Sequence, residues 1–571
     1  MLRAFSAATR EANLDRLGDR GYDLLVIGGG ITGAGIALDA AARGLRVGLV
    51  ERDDLAAGTS SRSSSLVHGG LRYLAQAMFG LTRESAVERD LLRRLAPHLV
   101  RPLPFVVPDT GRWRSTARTG LGMWIYDGLA SFRNVERHHR LRPAEVADRI
   151  PGLVQGLGQG GYEYHDCRTD DARLVLQVAR TAHRFGADIA TRAEVVELHQ
   201  SGGRVTGATV RDRVGGREVA VRARQTVSAT GVWADHLRSL ADDPGGATLV
   251  PSKGVHLVFP AADVRVTAAA LIPSTAGDGR MVFVLPWEEC VVVGTTDEAY
   301  GGPLDAPTVS AADAAYLSDA VNAAFGTDLG PRDAVGAWAG LRPLLVSEAH
   351  LPMDSETLSR RHAVVAGPEG LLTITGGKLT TYRAMAAEVV DRVAATLGGA
   401  AAGSRGHSDR IPLGLRGRVD AAGARTAGVL GALGLDPGLA GPLVERHGDQ
   451  AVEVAELAAT TPDGADALVP GLPYLRAEAR WAVEQEMALS VDDVLDRRTR
   501  VSLRDPAGGG RAADAVAAVL ADVLGWTAGE AAASVAAYRD RIAAERGVVP
   551  LRAAAPAAPA RPPRRSGGPA A

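Results

Sequence analysis

Residues 22–51 read YDLLVIGGGITGAGIALDAAARGLRVGLVE, and this stretch decides the fold. Residues 22–27 form a short apolar run ahead of three glycines, which predicts a strand buried on both faces of a parallel sheet. Residues 31–43 favour a helix that stops at Gly44, and residues 46–50 give a second strand closed by Glu51. The unit is βαβ. Gly28, Gly30 and Gly33 fall as GxGxxG between the first strand and the helix. The first glycine permits the tight turn, the second admits a pyrophosphate to the backbone, and the third lets helix and strand approach, while the helix N-terminus stabilises the anion. Glu51 stands about 20 residues on, where a carboxylate accepts from the 2′-hydroxyl of an adenine dinucleotide ribose. The glycines alone do not separate NAD from FAD, because both use the same cradle.

Working outward, the fold class expected is α/β: a Rossmann-like dinucleotide-binding domain with an inserted antiparallel strand-rich domain and an all-helical C-terminal domain. Residues 1–20 predict an N-terminal helix. The dinucleotide-binding part is expected over about 21–90, 155–245 and 346–400, with a capping domain from about 91–154 and 246–345. Residues 401–548 read as helical, with capping-box candidates at Ser490 to Asp493 and Thr527 to Glu530. Residues 549–571 are expected to form a disordered tail rich in Pro, Ala and Gly.

Composition excludes several classes of function. The chain has 571 residues, 46% hydrophobic and 23% charged, and Lys+Arg 64 balance Asp+Glu 66 at a net charge of -2. Such a chain packs a sizeable core, and no global field recruits nucleic acid, so an anionic ligand needs a locally basic site. Cys167 and Cys290 form neither a disulfide framework nor a metal pair, which fits core thiols in a reducing, cytoplasmic compartment, and no metal site is expected. No uncharged apolar stretch reaches the ~18 residues that a spanning helix needs. Leu2, Phe5, Leu14 and Leu17 with Arg3, Arg10 and Arg16 leave two readings of the N-terminal helix: a peripheral contact with the cytoplasmic face of the membrane, or packing on the protein body. Lys253 and Lys378 are the only lysines in a chain whose other side-chain cations are arginine, which marks them as candidates for a task that a guanidinium cannot perform.

Between residues 58 and 74 runs GTSSRSSSLVHGGLRYL, a small-residue loop suited to an active-site wall. Together with residues 23–47, YHDCRTDDARLVL (164–176), VSATGVWAD (227–235), SKGVHLVFP (252–260), FVLPWEE (283–289), VVVGTTDEAY (291–300), GLRPLL (340–345) and GGKLTTYRAM (376–385), it closely resembles the FAD-dependent glycerol-3-phosphate dehydrogenase family. Residues 478–503 resemble that family's C-terminal helical domain. The resemblance implies FAD as cofactor, oxidation of sn-glycerol 3-phosphate to dihydroxyacetone phosphate by hydride transfer from C2 to flavin N5, and a quinone as electron acceptor. Within this chemistry the rival is an oxidase that uses dioxygen; further off stand an FAD oxidase of amino or hydroxy acids and a flavin-binding scaffold without turnover. A homodimer is left open.

By the same resemblance Thr59, Ser60, Ser61, His68, Gly69, Gly377, Lys378, Leu379 and Thr380 join Gly28, Gly30, Gly33 and Glu51 around FAD. Arg72, Tyr73, His256, Arg342, Arg360 and Lys378 gather on the substrate and its phosphate, where charge-assisted bonds favour a dianion over plain glycerol. His256 or Lys378 takes the hydroxyl proton, and the sequence does not choose. Lys253 is expected to order the loop before His256, and Thr296, Asp297 and Glu298 are read as structural. Ser65 stands where the family commonly carries a lysine, so a contact to the cofactor is either missing or supplied by Arg62.

Overall fold

The computed structural model describes residues 4–71, 74, 77–109, 113–130, 135–154, 156–241, 249–345, 362–547 and 551–552. The strand Gly21–Ile27 lies in the middle of a parallel array, flanked by Val47–Val50 and Glu218–Ser228, with Asp188–Ala190 and Leu371–Thr375 beyond them. Buried on both faces, these strands carry the near-continuous apolar runs that the sequence shows. The helices Ile31–Ala42, Asp171–Arg184 and Tyr382–Leu397 cover one face in a single apolar cluster.

The other face takes the N-terminal helix Ala7–Asp19 and the hairpin Ala193–Ser201 with Arg204–Asp212. Phe5, Leu14 and Leu17, three residues of the apolar face named for a membrane contact, are 2%, 0% and 0% exposed. Arg10 is buried too, donating to Thr191 O at 2.7 Å and pairing with Asp212. The helix therefore packs on the protein body: the sheet consumes its apolar face, and one of its cations is bound internally. Among the described residues no helix is long and apolar enough to cross a membrane.

A second sheet is built on Leu249–Pro260, antiparallel to both Gly336–Leu345 and Cys290–Gly294. It also takes in Leu66–Val67 and Gly161–Arg168, residues that the sequence assigns to the dinucleotide-binding part. The pleat alternates the duties of Leu249–Pro260. Val255, Leu257 and Phe259 bury against the helix Ala311–Phe325. Ser252 and His256 bond to groups on the other face, the side on which the hydroxyl loop lies. Lys253 belongs to the helix-covered face, where its Nζ meets Asp313 Oδ2 at 2.5 Å inside the capping box Ser310–Asp313. Its task is to anchor that helix and not, as expected, to order the loop before His256.

Among the described residues no strand follows Thr375. The C-terminal helices form two apolar clusters, one around Leu430, Leu443 and Trp481, the other around Val494, Leu520 and Tyr538. The Thr527–Glu530 capping box is present, with Thr527 N–H on Glu530 Oε2 at 2.7 Å and Glu530 N–H on Thr527 Oγ1 at 3.2 Å. Buried ion pairs fasten this region to the rest: Arg173 on Glu486 at 2.7 and 2.8 Å, and Arg498 on Asp54 at 2.7 and 2.9 Å. Cys167 and Cys290 are buried free thiols.

Candidate active site

The carboxyl ends of the parallel strands open onto one cleft, lined by Ile27, Val50, Ala193, Ala229 and Thr375 and holding about 1600 Å³ of empty space. This is where open α/β sheets bind their ligands. Gly28 sits at φ +111°, and a Cβ there would meet Ala229 O at 2.6 Å. A Cβ on Gly33 would meet Gly28 O at 1.9 Å, so Gly33 lies behind the cleft and sets the helix against the turn. Gly30 caps the helix Ile31–Ala42 without a side chain, and the Ile31 N–H is met by Ser60 Oγ at 3.0 Å. The first-turn N–H groups and helix dipole thus face a cleft walled by small residues, which fits a pyrophosphate.

Glu51 closes the far wall. Its Oε2 accepts from Gly29 N–H at 2.6 Å and its Oε1 from Asp53 N–H at 2.8 Å. Burial raises its pKa above the usual carboxylate value, and the two backbone donors oppose that shift. A desolvated carboxylate fixed at this depth is a suitable acceptor for ribose hydroxyls.

Gly28, Gly30, Glu51, Thr59, Ser60, Gly377, Lys378 and Leu379 all line the cleft. Thr59 is further tied to the second sheet, its hydroxyl donating to Leu341 O at 2.6 Å. Ser61, His68, Gly69 and Thr380 are not among the lining residues. The Thr380 hydroxyl instead accepts the His68 N–H at 3.1 Å, clasping the hydroxyl loop to the loop after Thr375. Gly69 lies under Tyr126 and gives its N–H to Asp166 Oδ1 at 2.9 Å. Ser61 and Arg62 face a separate cavity, so Arg62 does not supply the cofactor contact that the family's lysine would give where Ser65 stands. Arg72, Tyr73 and Arg360 lie outside the described residues.

On the second sheet His256 and Arg342 share the face toward the hydroxyl loop. His256 is 2% exposed, bonds through Nε2 to Ser64 Oγ at 2.9 Å, and stacks on Trp338 with centroids 4.7 Å apart. Burial, then the Arg342 charge, pushes its pKa down to about 3, so the ring is neutral at physiological pH. Arg342 donates to Thr295 Oγ1 at 2.9 Å, Thr296 O at 3.2 Å, and Ser252 Oγ and Asp297 Oδ1 at 3.3 Å. Lys378, on the loop that closes the cleft, reaches Ser85 Oγ at 3.3 Å. Ser64, Thr295 and Asp297 are the residues that sequence reasoning missed or set aside. Only the register opposing Ser252 to Arg342 brings Asp297 to the guanidinium, and no local pattern encodes that pairing.

The chain matches the FAD dependent oxidoreductase model over residues 23–383 and the C-terminal domain of alpha-glycerophosphate oxidase over residues 377–531. It is 42% identical over 551 residues to a glycerol-3-phosphate dehydrogenase of Mycobacterium leprae (strain TN), covering 95% of this chain and 92% of that one. It is 35% identical to the mitochondrial glycerol-3-phosphate dehydrogenase of Macaca fascicularis, covering 91% and 73%. The solved glycerol-3-phosphate dehydrogenase from Bacillus halodurans, complexed with FAD, superposes with a TM-score of 0.78 at 30% identity over 94% of this chain and 98% of that one. Identity of 42% carried across nearly the whole length, on a cleft shaped for an adenine dinucleotide, means that this chain belongs to the FAD-dependent glycerol-3-phosphate dehydrogenase family.

Proposed function

We propose that this enzyme oxidises sn-glycerol 3-phosphate at C2 to dihydroxyacetone phosphate and delivers the electrons to a quinone. The observation that carries the reading is the group of His256, Arg342 and Asp297 on the sheet face beside the hydroxyl loop, which adjoins the FAD cleft through Ser63 and Pro343, two of the residues that line it. FAD, when bound there, supplies the two-electron acceptor for the hydride that leaves C2.

The chain's own residues do the rest. Gly28, Gly30 and the first turn of the helix Ile31–Ala42 hold the pyrophosphate, and Glu51 accepts from the ribose. Thr59, Ser60, Ser61, His68 and Gly69 with Gly377, Leu379 and Thr380 form two loops, clasped by the His68 N–H to Thr380 bond, that enclose the reactive end. Arg342, aimed by Asp297 and Thr295, pairs with the substrate phosphate, and Arg72, Tyr73, Arg360 and Lys378 complete its shell. His256 takes the C2 hydroxyl proton. Ser64 holds its Nε2, while its Nδ1 bonds to no protein atom among the described residues. Neutralising Arg342 with a dianion removes one of the two influences that depress the imidazole, so substrate binding itself raises the basicity of the group that must act. The same reading divides the chain into an FAD-binding part (21–90, 155–245 and 346–400), a cap (91–154 and 246–345) and a helical region (401–548) beside an N-terminal helix.

The test is oxidation of glycerol 3-phosphate by the FAD-loaded enzyme with a soluble quinone or with dioxygen, dihydroxyacetone phosphate being measured as product. Quinone-dependent turnover with little peroxide supports the reading. Peroxide formed at the rate of product formation, with no gain from quinone, replaces it with a dioxygen-using oxidase.

A further inference from the structure

The hydroxyl loop has two sides, and the side away from FAD closes a second cavity against Gly336–Leu345 and the C-terminal helices. We propose that this cavity is an oxyanion site for inorganic phosphate or a short phosphate ester, held by Arg62, Trp338 and Asp496. It shares no lining residue with the FAD cleft.

Its lining carries four arginines, Arg62, Arg497, Arg500 and Arg541, against the carboxylates Asp496 and Glu545. Three of the arginines are committed elsewhere: Arg497 meets Asp54 at 2.6 Å, Arg500 meets Asp171 at 2.5 Å, and Arg541 meets Asp492 at 2.6 Å. The Arg62 side chain makes no hydrogen bond or ion pair among the described residues, and burial lowers its pKa from the ordinary value. The carboxylates of Glu545 and Asp496 act on it through space without a hydrogen bond, so its N–H groups remain available to a ligand.

Two buried polar atoms on lining residues suit the same class of ligand. Trp338 is 8% exposed, and its Nε1–H has no partner. Asp496 Oδ1 is a buried acceptor without a donor. An indole N–H, a guanidinium without a hydrogen-bond partner and one acceptor suit an anion that carries both bare oxygens and a hydroxyl. Phosphate and hydroxylated phosphate esters have both, whereas sulfate has no proton to give Asp496.

The site also has a way to be felt. Trp338 lines the cavity and stacks on His256 at an interplanar angle of 13°. Occupancy that holds the indole therefore holds the imidazole, so the cavity regulates the proton acceptor; this step rests on the proposed role of His256, while binding itself does not.

Thermal unfolding of the full-length, FAD-loaded protein titrated with inorganic phosphate tests the site, with Arg342→Gln removing the substrate-site contribution. In that background the phosphate-induced rise in Tm should persist, and adding Arg62→Met should raise the phosphate needed by at least about tenfold, the cost of losing a charged partner. Trp338→Phe, which keeps the ring stack and removes the N–H, should weaken phosphate in the same direction, while Arg62→Lys should restore it and sulfate should bind less well. Dihydroxyacetone phosphate acting through Arg62 more tightly than phosphate identifies the ester as ligand; equal binding identifies the phosphate group alone. If Arg342→Gln abolishes the whole phosphate effect and Arg62→Met changes nothing, the inference is overturned and the proposed activity stands. If Arg342→Gln changes nothing and Arg62→Met removes the effect, the second site stands and the reading of Arg342 fails.

Discussion

Glu51→Gln should weaken FAD binding and stabilise the FAD-free fold at once, two effects that a merely structural carboxylate would not divide. Both carboxylate oxygens are occupied from within the chain, by Gly29 N–H and Asp53 N–H. The amide has one acceptor oxygen and two donors, so one backbone N–H must face an NH2 group. A ribose hydroxyl bonded to the charged acceptor is worth about 1.5–3 kcal/mol, and losing that bond predicts FAD binding weaker by roughly 10- to 100-fold. In the FAD-free chain the sign reverses. The folded pKa of Glu51 lies above the unfolded value, so its contribution to stability is complete below the unfolded pKa and is lost as pH rises through the folded one. At neutral pH the buried charge therefore costs stability, and the neutral amide removes that cost. FAD retention by wild type should also fall on acidification as Glu51 takes up its proton, and the variant should lack that step. Flavin fluorescence during dialysis across pH, with Tm of the FAD-free proteins, reads all three effects. Unchanged FAD affinity with unchanged pH dependence would refute the assignment.

Arg342→Ala should lower kcat/KM for glycerol 3-phosphate by about 2–5 kcal/mol, as expected when a charged partner is truncated, and an equal loss with a non-phosphorylated substrate would reject the phosphate role. Lys378→Arg should fold and bind FAD yet slow flavin reduction by at least about tenfold, because the proposed role of Lys378 in the cleft wall calls for a compact ammonium and not a guanidinium; stopped-flow rates equal to wild type would show that charge alone suffices. Lys253→Met should leave Asp313 unpaired and cost about 3–5 kcal/mol of stability while flavin reduction per folded molecule holds, so a slowed reduction with normal Tm would return Lys253 to the active site. His98 is 1% exposed, and burial followed by the Arg173 and His447 charges pushes its pKa down to about 3. Unfolded, it titrates near ~6.5, so the unfolded chain binds more protons between those values and stability falls as pH drops through that window. His98→Gln should flatten the decline in Tm there, and an unaltered slope would contradict the assignment.

What the sequence made legible follows from what is local. The glycine turn, its helix and Glu51 lie within about thirty residues, so spacing alone places the pyrophosphate wall. The hydroxyl loop was legible as a wall but not as a wall with two faces. Ser60 looks to the helix N-terminus, whereas Ser61 and Arg62 look to the second cavity, and a 3-10 turn at Thr59–Ser61 separates neighbours that read alike. Lys253 stands out by rarity, yet the sequence ties it to the loop before His256, because its partner Asp313 stands 60 residues away on a helix that only the sheet brings near. The N-terminal helix carried an apolar face that suits a bilayer or a protein surface equally well. Its destination was decided by the hairpin Ala193–Ser201 with Arg204–Asp212 and by Asp212, none of which its own periodicity encodes.

In the proposed reaction a phosphate ester, held by Arg342 and its neighbours, gives up a hydride from C2 to the flavin in the cleft. Anaerobic mixing of the yellow, FAD-loaded protein with glycerol 3-phosphate, glycerol or a 2-hydroxy acid tests it most directly. Rapid bleaching of the flavin by glycerol 3-phosphate, with little by glycerol and none by the acid, is the predicted result; bleaching by the 2-hydroxy acid alone would contradict it.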